Sequence, residues 1–302
     1  MIAAPTVSDR SRLVPLSSGR VFIRDLIPDQ ADSDVPPIVL LHGLMVTSHS
    51  FRDVIPGLAT DRRVIAVDLP GCGESDRPDP SLAGDYAVPW LSDRLAEMLQ
   101  VLELPQVDLL GHSFGGTVAL CFASEHAAAL RRLVLVDPVA FPLELPLEGR
   151  LALVPRLGPY VFKTLYRRAD LRRYLGRVVS TPELADETAL NVYWDRLSRD
   201  GGREAAYAML GHLTLLPWLR PRLSTIDTEA LVVWGDRDSL MPVSEGQRLV
   251  DLLVRARLQV VDGCGHAVPE ERPDRLTALV REFCAGGPAP APPPRDADPA
   301  AR

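Results

Sequence analysis

Four-to-five-residue apolar runs punctuate the chain, and longer stretches with a helical repeat separate most of them. Ile38, Val39, Leu40 and Leu41 form the first such run, followed by 63–68, 107–110, 133–136, 230–234 and 258–261. Continuous short apolar runs mark strands buried on both faces. Between them, 88–102 places Leu91, Leu95, Met98, Leu99 and Leu102 at helical spacing, and 116–129, 244–254 and 272–283 carry further helix-forming sequence. Strand and helix in alternation predict an α/β fold, a mostly parallel sheet flanked by helices on both faces. Ahead of the runs, 20–26 alternates apolar and polar residues as an exposed early strand does, and 29–37, rich in Asp and Pro, is a turn.

The alternation stops between 139 and 222, where no buried-strand run occurs and five of the six tyrosines gather (Tyr160, Tyr166, Tyr174, Tyr193, Tyr207). This stretch is expected to be a helical cap inserted between two strands. The organisation that follows is a loose lead-in over 1–19, a core made of 20–138 and 223–284, a cap over 139–222, and a disordered Pro/Ala-rich tail over 285–302.

Ligand chemistry on a parallel sheet belongs at the carboxyl ends of the strands. His42-Gly43, Asp68, Ser113 and Asp137 all follow apolar runs there. Gly111-His112-Ser113-Phe114-Gly115 fits G-x-S-x-G, the nucleophile elbow. The motif asks for a serine lifted on a strained turn, glycines where side chains would collide, and a helix N-terminus aiming the N–H of Phe114 at developing negative charge.

A serine hydroxyl needs a base within hydrogen-bond reach. Of the six histidines, His266 suits best, because it sits in a Gly-rich loop past the last strand. His42 is expected to support the backbone, His112 to point away from the turn, and His126 and His212 to lie on helices. The base in turn needs a carboxylate to hold its tautomer. Asp236 and Asp238 follow one strand and Asp137 another. Asp238 is favoured, with Asp236 capping the turn, and the chain order Ser113, Asp238, His266 suits this motif.

Composition sets limits on partners. The chain has 302 residues, 46% hydrophobic and 24% charged, with a formal charge of −7, which argues against nucleic acid as a partner. No apolar run is long enough to span a membrane, and no secretion signal precedes the first strand. The arginines at 167, 168, 172, 173 and 177 read first as a solvated helix face, and second as an attractor of acidic substrates or a membrane surface. Four scattered cysteines without metal or redox spacing suit a reducing, cytoplasmic location. No cofactor and no metal are expected.

Taken together, His42-Gly43, the segment from Asp68 to Asp76, the elbow, Trp234-Gly235-Asp236-Arg237-Asp238 and Gly263-Cys264-Gly265-His266 resemble the α/β-hydrolase superfamily in its capped, esterase-like branch. The resemblance covers the chain from Arg20 to Cys284 outside the cap. It implies the α/β-hydrolase fold, Asp238 as the acid with Asp137 as a minor alternative, and Leu44 as the second oxyanion-hole N–H beside Phe114. It implies a serine hydrolase cleaving a small-molecule acyl substrate, an ester or a related bond. A serine elbow departs from haloalkane dehalogenases and epoxide hydrolases, which carry Asp there. Hydrolases of meta-cleavage products usually have Asn before the serine and an aromatic residue after the histidine, where this chain has His112 and Ala267. A C–C bond hydrolase or lactonase with the same triad, and a ligand receptor on a hydrolase fold, remain as the other readings.

Overall fold

A computed structural model describes residues 7–29, 31, 34–81, 83–143, 154, 157–180, 186–214 and 216–286. The expected tail therefore lies outside the described residues from 287 onward.

Nine strands form one sheet: β1 (Val7–Asp9), β2 (Arg12–Leu16), β3 (Gly19–Pro28), β4 (Ile38–Leu41), β5 (Val64–Val67), β6 (Val107–His112), β7 (Leu130–Val136), β8 (Glu229–Gly235) and β9 (Ala256–Val261). Their order is β1-β3-β5-β4-β6-β7-β8-β9, with β2 also paired to β3. From β5 to β9 every neighbouring pair is parallel, and β3 runs antiparallel to β5. The apolar runs serve two cores because successive strand residues face opposite ways. Val39, Leu41, Leu109, Leu133, Leu135, Val232 and Trp234 join one cluster, while Ile38, Leu40, Leu110, Val134, Val136, Leu231 and Val233 join the other.

Among the described residues, helices of ten or more residues are α1 (Val88–Val101), α2 (Phe114–Glu125), α3 (Arg168–Val178), α4 (Glu187–Leu197), α5 (Gly202–His212), α6 (Val243–Leu252) and α7 (Pro273–Ala285). α1 and α2 pack on the first face, and α7 packs on the second. α3, α4 and α5, between β7 and β8, build a smaller core of their own from Leu171, Leu175, Leu190, Tyr193 and Ala206, which also takes in Val46 and Ala267 from the sheet's loops. Arg168 and Arg172, from the arginine cluster, both pair with Glu187 of α4.

Three expectations need correction. The lead-in over 1–19 is not loose where it is described. Residues 7–9 and 12–16 pair antiparallel with β3, and Gly19, at φ 124, makes the turn between β2 and β3. The strand expected as exposed lies inside the sheet, with Val21 and Ile23 buried and Asp25 held by Arg12 and Arg63. The helix expected over 116–129 starts at Phe114 and stops at Glu125, because the turn is completed within Ser113 itself and Ala127–Ala129 forms a separate 3-10 turn.

Candidate active site

Ser113 joins β6 to α2 with φ 52 and ψ −117, a backbone region where a residue with a side chain costs on the order of 1–3 kcal/mol. The turn survives because its flanks lack side chains. A Cβ on Gly111 would lie 2.4 Å from Gly115 O, and one on Gly115 would lie 2.3 Å from Leu41 O. The strained residue is held by its backbone: Ser113 N–H donates to Val136 O at 2.9 Å, and its carbonyl accepts from Gly116, Thr117 and Val139.

His266 reaches back from the loop after β9. Its Nε2 lies 2.8 Å from Ser113 Oγ and its Nδ1 lies 2.7 Å from Asp238 Oδ2. The imidazole is 3% exposed and the Asp238 side chain 0%, so the bond between them lies away from bulk water. An ionised carboxylate only accepts, so Nδ1 carries the proton and Nε2 is free to accept from the serine hydroxyl. Asp238 Oδ1 is occupied by the N–H groups of Leu240 and Met241 at 2.8 and 3.0 Å, which fixes the carboxylate's orientation. The structure thus brings together Ser113, Asp238 and His266, from loops after β6, β8 and β9.

The other two acids do different things. Asp236 Oδ1 accepts the N–H of Cys264 at 3.0 Å and ties the two loops together. Asp137, fully buried after β7, accepts the N–H of Gly235 at 2.9 Å through Oδ1, and Oδ2 has no partner. Burial, and then the facing charge of Asp238, push its carboxyl well above the usual carboxylate range. Oxygen and nitrogen atoms of Asp137, Asp238 and His266 lie within 4.8 Å of one another, a spacing that also suits a metal ion. The direct bond between Asp238 Oδ2 and His266 Nδ1 already occupies one of those atoms on each residue.

Leu44 and Phe114 flank the serine. Phe114 is the first residue of α2, so its N–H belongs to the unpaired, positive end of that helix. Leu44 follows Gly43, whose Cβ position would be 3.2 Å from Ser113 Cβ, and precedes Met45 at φ 63. His42 supports this loop from below, with Nδ1–H donating to Gly43 O at 2.7 Å and Nε2 accepting from Leu69 N–H at 3.1 Å. Burial lowers its pKa and keeps it neutral. Asp68 accepts N–H groups from Ser48 and Glu74, at 2.7 and 2.8 Å, fixing the loop opposite.

His112 is where sequence reasoning went astray. It does not point away: its Nε2–H donates to His266 O at 2.9 Å, and the two rings lie 5.3 Å apart. Burial, and then the neighbouring His266, hold its pKa down to about 3, so it stays neutral while bracing the loop.

Ser113 and His266 open on a cavity of about 20 Å³, room for one water, bounded by Leu44, Val46, Tyr174, Val178, Ala267 and Glu270. Tyr174 and Val178 come from α3. Glu270 is bonded by Arg52 Nη1 at 2.8 Å and by Tyr193 Oη–H of α4 at 2.9 Å, and burial raises its pKa. A second cavity, which shares Val46 with the first, is bounded by Met45, Gly71, Cys72, Tyr193 and Leu197. Neither Glu270 nor its partners are marked by any local motif. All four cysteines are free thiols, and no described helix is long and apolar enough to cross a membrane.

A family model described as "alpha/beta hydrolase fold" matches residues 36–273. A 2-hydroxymuconate semialdehyde hydrolase of Pseudomonas sp. (strain CF600) is 31% identical over 260 residues, 82% of this chain and 87% of that protein. A 2-hydroxy-6-oxo-2,4-heptadienoate hydrolase of Pseudomonas putida is 31% identical over 258 residues, 82% of this chain and 89% of that one. Among solved structures, Cfl2 from Burkholderia cenocepacia superposes with a TM-score of 0.78 at 25% identity, covering 92% of this chain and 99% of the other. The family match spans most of the sheet and every loop that meets at Ser113, and the chain belongs to the alpha/beta hydrolase fold family.

Proposed function

We propose that the protein is a serine hydrolase that cleaves a carboxylic ester or related acyl bond through an acyl-enzyme. The observation that carries this reading is the unbroken path from Ser113 Oγ to His266 Nε2 and from Nδ1 to Asp238, at 2.8 and 2.7 Å. Ser113 attacks the carbonyl carbon as His266 takes its proton, and the N–H groups of Leu44 and Phe114 hold the oxyanion. Each of those donors is worth about 3 kcal/mol of barrier. His266 then protonates the leaving alcohol and afterwards activates water to release the acid. Asp238 keeps the tautomer and stabilises the imidazolium.

The pocket supports an uncharged acyl group. Leu44, Val46, Val178 and Ala267 are apolar, and the one carboxylate among its described lining residues is Glu270. A C–C bond hydrolase is the second reading, favoured by the names of the two Pseudomonas relatives. Their named substrates are carboxylates, and no cation stands among the described residues lining the cavity at Ser113. Anionic dienoates therefore suit this pocket less well than neutral esters.

Fluorophosphonate labelling with peptide mapping, alongside a panel of aryl esters, lactones and vinylogous diketones, tests both readings. Labelling at Ser113 with ester turnover is expected, and Ser113→Ala should remove turnover by a factor that approaches about 10⁶. Efficient diketone cleavage without ester turnover would replace the first reading with the second. Binding without any turnover would make the protein a receptor.

A further inference from the structure

The loop that carries His266 is held from the helices above it as well as from the sheet. His266 donates its backbone N–H to the carbonyl of Val178, the last residue of α3, at 2.7 Å. Glu271, 7% exposed, spans the same gap with its side chain. Its Oε1 accepts the N–H of Gly265 at 3.0 Å and its Oε2 accepts the N–H of Ser180 at 2.9 Å. Gly265 shows how closely the two chains pass: a Cβ there would sit 2.6 Å from Ser180 N and 2.7 Å from Val178 O. On the other side His112 fastens the carbonyl of His266.

Tyr174 and Val178 of α3 form part of the wall of the cavity at Ser113. A substrate that reaches Ser113 past that wall displaces the end of α3. That displacement strips the His266 N–H and one Glu271 oxygen of their partners together.

We propose that Glu271 is a positioning residue that couples the seating of α3 to the reach of His266. With α3 seated, the carboxylate pins Gly265 and so sets the imidazole at bonding distance from Ser113. With α3 lifted, the His266 N–H and Glu271 Oε2 lose their partners, the carboxylate holds Gly265 from one side only, and the base drifts. Competence returns when α3 reseats over bound substrate. The inference rests on the reading of His266 as the base.

Glu271→Gln tests it in the full chain, since the amide keeps the shape but accepts from one N–H and presents its own donors to the other. The expected result is a fall in kcat of about tenfold to a hundredfold, the effect of a misplacement near 1 Å, with KM little changed. Hydrogen exchange supplies a readout that a purely structural role would not move. In the unaltered protein, a fluorophosphonate on Ser113 should slow exchange of peptides covering 263–267 and 178–180 together. In Glu271→Gln the first should still slow and the second should not. Unchanged kcat per folded molecule, or slowing of 178–180 as in the unaltered protein, would overturn the proposal.

Ser180→Pro removes only the N–H on the α3 side and leaves Glu271 in place. Val179, at φ −90 and ψ 153, already has the extended backbone that a residue before proline prefers. It should lose kcat as Glu271→Gln does, and unimpaired turnover would overturn the coupling even if Glu271→Gln fails to fold. Failure of the phosphonate to label Ser113 in the unaltered protein would instead overturn the nucleophile, and this inference with it.

Discussion

Replacing Asp137 with asparagine should stabilise the protein by an amount that grows as pH rises. Asp137 is wholly buried beneath the Asp238 loop, gives one oxygen to Gly235 N–H, and leaves the other without a partner. Burial and the facing Asp238 charge raise its pKa in the folded state well above the unfolded value of 3.8. The folded protein therefore keeps a proton that the unfolded chain gives up. That contribution is complete below pH 3.8 and is lost as pH rises towards and through the folded pKa. Within that window the unaltered protein loses up to about 1.4 kcal/mol per pH unit. Asparagine keeps the acceptor for Gly235 and never ionises, so the variant escapes this loss. At about 2 °C per kcal/mol for a chain of this size, the difference in Tm should widen by roughly 3 °C for each pH unit. Thermal melts between mildly acidic and neutral buffers, read by circular dichroism, give the slope, and ester turnover on the same samples should stay near that of the unaltered protein. A difference in Tm that is flat with pH would refute a neutral Asp137. A loss of turnover as deep as that of Asp238→Asn would make Asp137 the acid.

Asp238→Asn should lower kcat by about 10⁴, as loss of the correct histidine tautomer does, whereas Asp236→Asn should cost far less because Asp236 holds only a loop amide. The reverse ranking in steady-state kinetics would move the acid. Gly115→Ala places a methyl 2.3 Å from the carbonyl oxygen of Leu41, a backbone atom that cannot rotate aside, and should destabilise by about 1–3 kcal/mol or more. An unchanged denaturant midpoint would contradict the packing at the elbow. Asp108, fully buried, receives Arg62 at 2.6 Å and Arg131 at 2.8 Å, so Asp108→Ala strands the buried Arg62 beside a half-buried Arg131 and should cost about 3–5 kcal/mol in equilibrium unfolding. A cost below about 1 kcal/mol, the range of surface pairs, would show that water reaches them.

The strands from β4 to β8 were legible because both of their faces are covered, which leaves an unbroken apolar signature at 38–41 or 133–136. β1 and β2 were not. They are short, largely exposed, and depend for their existence on pairing with β3, which no local pattern announces. The start of α2 was misread because Gly115 and Gly116 look like loop, while their lack of side chains is what lets the helix begin directly after Ser113. The three meeting side chains could be picked out because each follows an apolar run at the same end of the sheet. The bracing by His112 and Glu271 could not. Its partners are backbone groups of His266 and Ser180, the latter 91 residues from Glu271, and a hydrogen bond to a main chain carries no signature in residue type.

Ser113 and His266 are separated by 153 residues, and the helices between β7 and β8 are made in that interval. During synthesis Ser113, the proposed nucleophile, therefore leaves the ribosome long before His266, its proposed base. Until β9 docks beside β8, the serine is an ordinary alcohol. On the proposed mechanism the nascent chain is chemically silent until the last strand has found its place.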